Sequence, residues 1–435
     1  MAVLMGLITN GQACRADNGP GPSSTVFADK DAVARVQSGK ESVANAAWWG
    51  FNPADATEAI QEAVNSGASK VVIPYVGREW VVEPISLASN QEIVFEPGVI
   101  VTAKKGAFRG KHDCLFKGEQ VKNVTLRGYG AVLRMRKEDY TKDPYIKAEW
   151  RHTLSLRGAS NMKVLGLTLE NSGGDGIYIG AAEDDRSVPC RNVHIRDCVC
   201  NDNYRQGISV VSAEDVHIEN CKLRNTRGTP PQTGIDLEPS FPNQMLVDIR
   251  IEYCVAEGNA GGGFQIYLKH LNSRSREVSV TFESCLARNS QAHGALTLLG
   301  DEDAPGGFVE FRNCLFEVDR SAGLFGRWDT SAPIMLRFVN TKWRQVGDDP
   351  WTTPIHFELA GRGKESAMGG IEFDDCHVYD PPTRGPLRVE HKGKGKGSYD
   401  VSGKITIVGT RDKEKVPVTV EGLEGLRIEY HRRGE

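Results

Sequence analysis

The chain has 435 residues, a formal net charge of −4 and 25% charged residues. A slightly acidic balance leaves no electrostatic footprint for nucleic acid, and no segment is long and apolar enough to span a membrane as a helix. The length permits several ordinary domains or one long solenoid, which has no size-limited core.

Met1 to Ile8 is apolar and short and lacks a basic start, so it reads as the tail of a secretion signal with a cut near Ala13 or Ala16. A secreted or periplasmic location is therefore expected. Cys14 follows Gly11-Gln-Ala without the leucine usual in a lipid anchor. Residues 17 to 50 are rich in Gly, Pro, Ser and Ala, so 1–50 is expected to be signal remnant and irregular lead-in, with Trp48 and Trp49 on the first coil. Asp55 to Val64 has an N-cap, then Ala59, Ile60, Ala63 and Val64 at helical spacing. That helix is expected to cover an open sheet end, which would otherwise aggregate.

Lys70 to Pro74 reads as a strand, and Asn123 to Leu133 as a coil of strands. Gly128-Tyr-Gly130 opens no helix, so its glycines belong to a turn and not to a phosphate loop. Residues 136 to 151 are a polar insertion with Tyr140, Tyr145 and Trp150, expected on the binding face.

Between Gly173 and Leu298 one phrase occurs five times: Asp175-Gly-Ile-Tyr-Ile, Gln206-Gly-Ile-Ser-Val, Thr233-Gly-Ile-Asp-Leu-Glu238, Gly262-Gly-Phe-Gln-Ile and His293-Gly-Ala-Leu-Thr. Its glycines, Gly176, Gly207, Gly234, Gly263 and Gly294, are 31, 27, 29 and 31 residues apart. A second phrase ends at Cys198, Cys221, Cys254, Cys285 and Cys314, and returns at Cys376. A fixed period in this range marks a repeat architecture. Each phrase alternates apolar and polar residues, so each repeat is short strands that stack on the next at about 4.8 Å. The six phrase cysteines then form an interior ladder of small thiols; no pair has zinc-finger spacing. Cys14, Cys114, Cys190 and Cys200 lie off the ladder. The repeat weakens after Cys314, persists at Leu324 to Arg327 and Ile355 to Glu358, passes an exposed turn at Lys392 to Lys396, and is closed by strands Lys404 to Val408 and Val416 to Val420.

These repeats resemble the right-handed parallel β-helix of the pectin lyase type, shared by many polysaccharide lyases, polygalacturonase-like glycoside hydrolases and phage tailspikes. The expected fold is all-β: one right-handed parallel β-helix over 51–435 with an N-terminal capping helix. The opening, with Val81-Val-Glu-Pro-Ile-Ser-Leu87 and Ile93-Val-Phe-Glu-Pro-Gly98, resembles polygalacturonase-like chains. Tyr204-Arg-Gln-Gly-Ile-Ser-Val210, Asn225-Thr-Arg-Gly-Thr-Pro and Gly234-Ile-Asp-Leu-Glu-Pro239 are similar to bacterial and phage β-helix proteins of the polysaccharide-active type. The last is distantly like the Gly-Phe-Asp-Pro-His signature of mannuronan C5-epimerases: Asp236 matches the catalytic aspartate, and Glu238 stands in place of the histidine. The paired aspartates, Gly-His-Gly and Arg-x-Lys of polygalacturonases are absent. The resemblance implies a polysaccharide partner.

With Ile177, Ile208, Ile235, Phe264 and Ala295 inward, alternation sends Tyr178, Ser209, Asp236, Gln265 and Leu296 outward. Gly180, Val211, Glu238, Tyr267 and Leu298 form a second outward column; Phe325 and Arg327, then His356 and Glu358, extend both. Asp236 and Glu238 are i and i+2 on one strand, with Cβ atoms about 7 Å apart. Inverting glycosidases hold an acid and a base about 6.5–9.5 Å apart around a water. Asp175, about 10 Å along the stack, is a third carboxylate. Arg205, Gln206, Tyr178, Gln265, Tyr267, Lys269, His293 and Arg327 are the expected substrate contacts. A uronate lyase would also draw on Arg227 or His270 as a cation, with Tyr267 as proton donor. No cofactor and no metal ligands are assigned; Asp184-Asp185 and Asp301 to Asp303 offer carboxylates to Ca²⁺ without a ligand pattern that specifies it. The expected activity is glycoside hydrolysis, with polysaccharide lyase or C5-epimerase as the alternative and non-catalytic, tailspike-like glycan binding as the third reading.

Overall fold

The computed structural model describes residues 25–290, 294–298, 304–318, 322–328, 334–346, 353–359, 365–379, 386–392, 396–409 and 423–432. The leader, Cys14, His293, Asp301 to Asp303 and the strand expected at Val416 to Val420 lie outside them.

Each coil bends where a residue enters the left-handed region, and the residues there are mostly Asn and Asp, which tolerate it by bonding locally. Asn123, Asn161 and Asn192 have φ of 57°, 55° and 50°, and their amides form a ladder from Asn90 with N···O distances of 2.7, 2.8 and 2.9 Å. A second corner holds Asp197, Asn220, Tyr253, Ser284, Asn313, Asn340 and Asp375, with φ between 45° and 58°.

Between corners the strands pair in parallel with equivalent strands of the next coil. An 11-stranded sheet carries the glycine phrases; a second sheet of 24 strands carries the cysteine phrases and closes the coil. Together they form the expected right-handed parallel β-helix. Ile177, Ile208, Ile235, Phe264 and Ala295 fall in one register column, all with 0% exposure. The phrase glycines are required by close approach: a Cβ on Gly207 would lie 2.5 Å from the Gly234 oxygen, and one on Gly234 2.7 Å from the Gly263 oxygen.

The cysteine ladder is present, and the nine described cysteines are buried free thiols. Cys254 Sγ donates to the Ile218 oxygen of the preceding coil and Cys285 Sγ to that of Ile251. Thr341 continues the ladder between Cys314 and Cys376, its hydroxyl donating to the Phe311 oxygen. Beside it Phe282, Phe311, Phe338 and Phe373 stack with centroids 4.6, 5.4 and 5.2 Å apart.

The lead-in is more ordered than its composition implies. Helix α1 (Lys30–Gln37) is capped by Asp29, whose carboxylate accepts from the Ala32 N–H, and Val43–Asn45 already pairs in parallel with Lys70–Ile73. The β-helix therefore begins before residue 51. Helix α2 (Thr57–Asn65) buries Ala59, Ile60, Ala63 and Val64, with Trp48 and Trp49 packed partly buried against the same core. Asp55 accepts from the Thr57 N–H at the start of α2. The strand expected at Lys404 to Val408 lies inside Lys396–Gly409, which pairs with Leu426–Arg432. Among the described residues no helix is long and apolar enough to cross a membrane.

Candidate active site

The register sets the site. Ser155, Tyr178, Ser209, Asp236 and Gln265 form one outward column of the 11-stranded sheet. Gln206 and Thr233, each before its glycine, are in register, and the Gln206 side chain leans onto the next coil. Gln206 Nε2 donates to Asp236 Oδ2 at 2.6 Å, while its Oε1 accepts from the Thr233 N–H and hydroxyl. His152 stands one coil before Asp175 and stacks on Tyr178, centroids 4.7 Å apart. Gln265 Nε2 reaches Asp236 Oδ1 at 3.1 Å.

Arg205 lies over this layer. Its Nη2 is 2.6 Å from Glu238 Oε2, and its Nε is 3.9 Å from Glu149 of the insertion. Asp175 and Asp236 add to its charge environment and hold the guanidinium protonated more firmly than usual, against its own burial. The roof is tight: Asp175 and Asp236 both have 0% exposure.

Burial and these neighbours set the protonation states. Burial raises Asp175 to about 7; Arg205 and the nearby Ser209 hydroxyl pull it down, and Glu238 and Glu149 push it up. Burial, then Glu238, raise Asp236 well above the carboxylate range against the pull of Arg205. Burial likewise keeps His152 neutral, well below its ordinary value. His152 Nδ1 accepts from the Asp175 N–H at 3.0 Å, so the ring proton sits on Nε2. The same Nδ1 is 3.3 Å from Asp175 Oδ2, a contact that fits a protonated Asp175. Several buried polar atoms here lack hydrogen-bond partners: His152 Nε2, both Asp175 oxygens, Ser155 Oγ, Ser209 Oγ and Arg205 Nε. Ser209 is near enough to Asp175 to shift its pKa without completing a bond of ordinary geometry. Buried groups of this kind normally find water or a ligand.

A groove of about 710 Å³ lies between Lys137, Glu138 and Thr141 of the insertion and Asn201, Tyr204 and Arg227 of the coil edge; none of the carboxyl cluster lines it.

The right-handed β-helix region family matches residues 107–243. The pre-mature gene product 12 of bacteriophage phi29 superposes with a TM-score of 0.61 at 15% identity, over 87% of this chain and 55% of that one. The tailspike protein of E. coli bacteriophage HK620, solved with a pentasaccharide, superposes with a TM-score of 0.57 at 12% identity, over 82% of this chain and 63% of that one. The chain is a right-handed parallel β-helix. It spans between half and two thirds of the length of those two phage proteins. No curated protein sequence matches it.

The β-helix brings Asp175, Arg205, Gln206, Asp236, Glu238 and Gln265 together as their columns require, but not in an open trough. Asp236 has 0% exposure, and its two oxygens accept from Gln206 and Gln265. Glu238 is not a free carboxylate: it is ion-paired and close enough to Asp236 to affect it through a hydrogen bond. The two acids therefore do not bracket a water in this arrangement. Gln206 has 0% exposure and serves Asp236 and Thr233 as a bridge, which removes it from the substrate contacts. Tyr178 is held between His152 and the Arg157 guanidinium, 4.3 Å from its ring. Tyr267 is half-buried against His270 and Lys269 is exposed. Arg327 is in register with Leu298 and Glu358, as expected; its side chain lies outside the described residues.

In the insertion, Tyr140 and Tyr145 are anchors and not ligand platforms. Both are buried against Arg151, whose guanidinium donates to the Phe108 and Ile146 oxygens. Trp150 is exposed and stacks on His112. Asp185 accepts from Ser187 and Asp184 from Gln120. His152 escaped the sequence reading because its coil has Thr153 where later coils have glycine.

Proposed function

We propose that the chain is an exported carbohydrate-active protein that binds a polysaccharide against this face and hydrolyses its glycosidic bonds. The supporting observation is the cluster itself: two carboxyls held protonated by burial, beside a third carboxyl and one guanidinium. A neutral acid can protonate a glycosidic oxygen, and a neighbouring carboxylate can act as base or nucleophile. Asp236 is the acid in this reading and Glu238 the carboxylate, with Asp175 next to them. Catalysis then requires Arg205 to leave Glu238, which frees that carboxylate, and Asp236, now at 0% exposure, to open to the sugar. The HK620 tailspike, which holds a pentasaccharide, supports the fold as a platform for oligosaccharides. A polymer too large to enter a cell would be met outside it.

The Arg205–Glu238 contact and the 0% exposure of Asp236 favour a second reading, non-catalytic glycan binding on a closed wall. A polysaccharide panel read for new reducing ends and for the ultraviolet absorbance of unsaturated uronates separates them. Hydrolysis yields reducing ends without absorbance, and Asp236→Asn abolishes them while glycan binding persists. Absorbance would establish a lyase instead; binding without either product, unchanged in Asp236→Asn, would establish the second reading.

A further inference from the structure

We propose that His194, His217 and Glu219 form a site for a divalent transition-metal ion, Zn²⁺ foremost, on the outer face of the 24-stranded sheet. Strands Cys190–Arg196, Ala213–Glu219 and Leu246–Glu252 lie side by side in parallel. His194 is in register with His217, and Glu219 with Glu252. Histidine and glutamate are i and i+2 on their strand, so all four side chains leave one face.

The imidazoles stack with centroids 5.0 Å apart and planes 5° from parallel. Both rings present Nε2 to a carboxylate: His194 Nε2 is 3.3 Å from Glu219 Oε2, and His217 Nε2 is 3.0 Å from Glu252 Oε2. One ligand atom from each of His194, His217 and Glu219 lies within 4.8 Å of the other two.

Zinc bonds to His nitrogen and carboxylate oxygen are about 2.0–2.2 Å, so tetrahedral ligand atoms sit roughly 3.3–3.5 Å apart. The side chains need to draw in by an ångström or so. They are free to do so, since 28%, 34% and 29% of His194, His217 and Glu219 is exposed. Two imidazoles with one carboxylate suit Zn²⁺, Co²⁺, Ni²⁺ or Cu²⁺; Ca²⁺ and Mg²⁺ prefer all-oxygen sets. Lys163 and Arg250 flank the histidines in register, but both are exposed and can turn to solvent. The fourth position faces solvent, with Glu252 one coil on. A bound ion would tie successive coils together across their outer face and stabilise the folded chain by mass action.

The test uses the full chain, freed of metal by a chelator, and Zn²⁺ or Co²⁺ alone. Calorimetry should show one tight Zn²⁺ site, and the melting temperature should rise with Zn²⁺. Co²⁺ should give visible d–d bands without a thiolate charge-transfer band, because the described cysteines are buried. Loss of a ligand in His217→Ala or Glu219→Gln should weaken binding by at least the roughly 10–100-fold that loss of an outer-shell partner costs. His431→Ala, on the last described strand, should not. Circular dichroism checks that each variant is folded; Glu219→Gln keeps both rings in place if His217→Ala does not fold. Equal Zn²⁺ affinity in wild type, His217→Ala and Glu219→Gln would overturn the proposal, as would a thiolate band or no binding.

Discussion

Asp175→Asn isolates what the stack does to a carboxyl. The side chain has 0% exposure, and burial lifts it from its ordinary 3.8 to about 7. The folded state thus keeps a proton that the unfolded chain releases. Stability falls as pH rises between those two values and levels off above the upper one. At about 1.4 kcal/mol per pKa unit, the gap corresponds to about 4 kcal/mol, and relaxation around the buried charge should reduce this to about 2–4 kcal/mol. Asparagine keeps the shape and cannot ionise. Denaturant midpoints of the two chains should nearly coincide near pH 4, then diverge, with the variant more stable by about 2–4 kcal/mol near pH 8. His152 adds a slope of opposite sense: its pKa lies well below the ordinary value, so both chains lose stability as acid charges the unfolded histidine. That slope cancels in the difference. If Asp175 also serves the reaction, the variant gains stability and loses activity, the trade-off expected of a functional group held in an unfavourable place. A difference that does not change with pH, or a variant less stable at pH 8, would refute the protonated buried carboxyl.

Three further outcomes follow from contacts already described. Arg205→Ala leaves Glu238, now 2.6 Å from its cation and 26% exposed, without a partner, and should cost about 1–3 kcal/mol by denaturation at neutral pH; no loss would mean that the pair does not hold the cluster together. Gly234→Ala places a Cβ 2.7 Å from the Gly263 oxygen and 2.8 Å from Ala256 Cβ, and should cost about 1–3 kcal/mol, whereas Gly39→Ala, with open space around its Cβ, adds only local backbone strain. Cys114 and Cys190 should not react with Ellman's reagent at pH 8 until the chain unfolds, since burial raises Cys114 to about 11 and Cys190 to about 12; prompt labelling of either, read by mass spectrometry, would show that the core around it opens.

The architecture was legible because each of its rules acts on adjacent residues. Alternation separated the Ile208 and Ile235 column from Ser209 and Asp236, and glycine spacing fixed which residues stack. The corner residues, the Asp, Asn or Ser before most ladder cysteines, were not read from the sequence; the backbone angles show what they are for. Thr341 was missed as a ladder member because its hydroxyl, not its volume, continues the pattern. Exposure was the quantity that did not carry over. Alternation states which way Asp236 points, but not that Gln206 of the preceding coil and Gln265 of the next close on both its oxygens. The insertion tyrosines failed for a similar reason: Arg151, a residue with no pattern of its own, draws both rings into the interior.

The same geometry explains why the histidine cluster was not read from the sequence and why the carboxyl cluster was read only from the stacking of coils. Neighbours on the surface of a β-helix are one coil apart, so Gln206 meets Asp236 across 30 residues and His194 meets His217 across 23. Motif spacing within a loop does not apply; the relevant spacing is the length of a coil, and it varies. Given register, one cation near several acids has a definite consequence. Arg205 cannot satisfy Asp175, Asp236, Glu238 and Glu149 equally, so the two most deeply buried acids keep their protons and the two more exposed ones take the contact. A ligand that engages Arg205 in place of Glu238 would therefore release a carboxylate beside a protonated acid, the pairing that acid–base chemistry on a glycosidic bond needs.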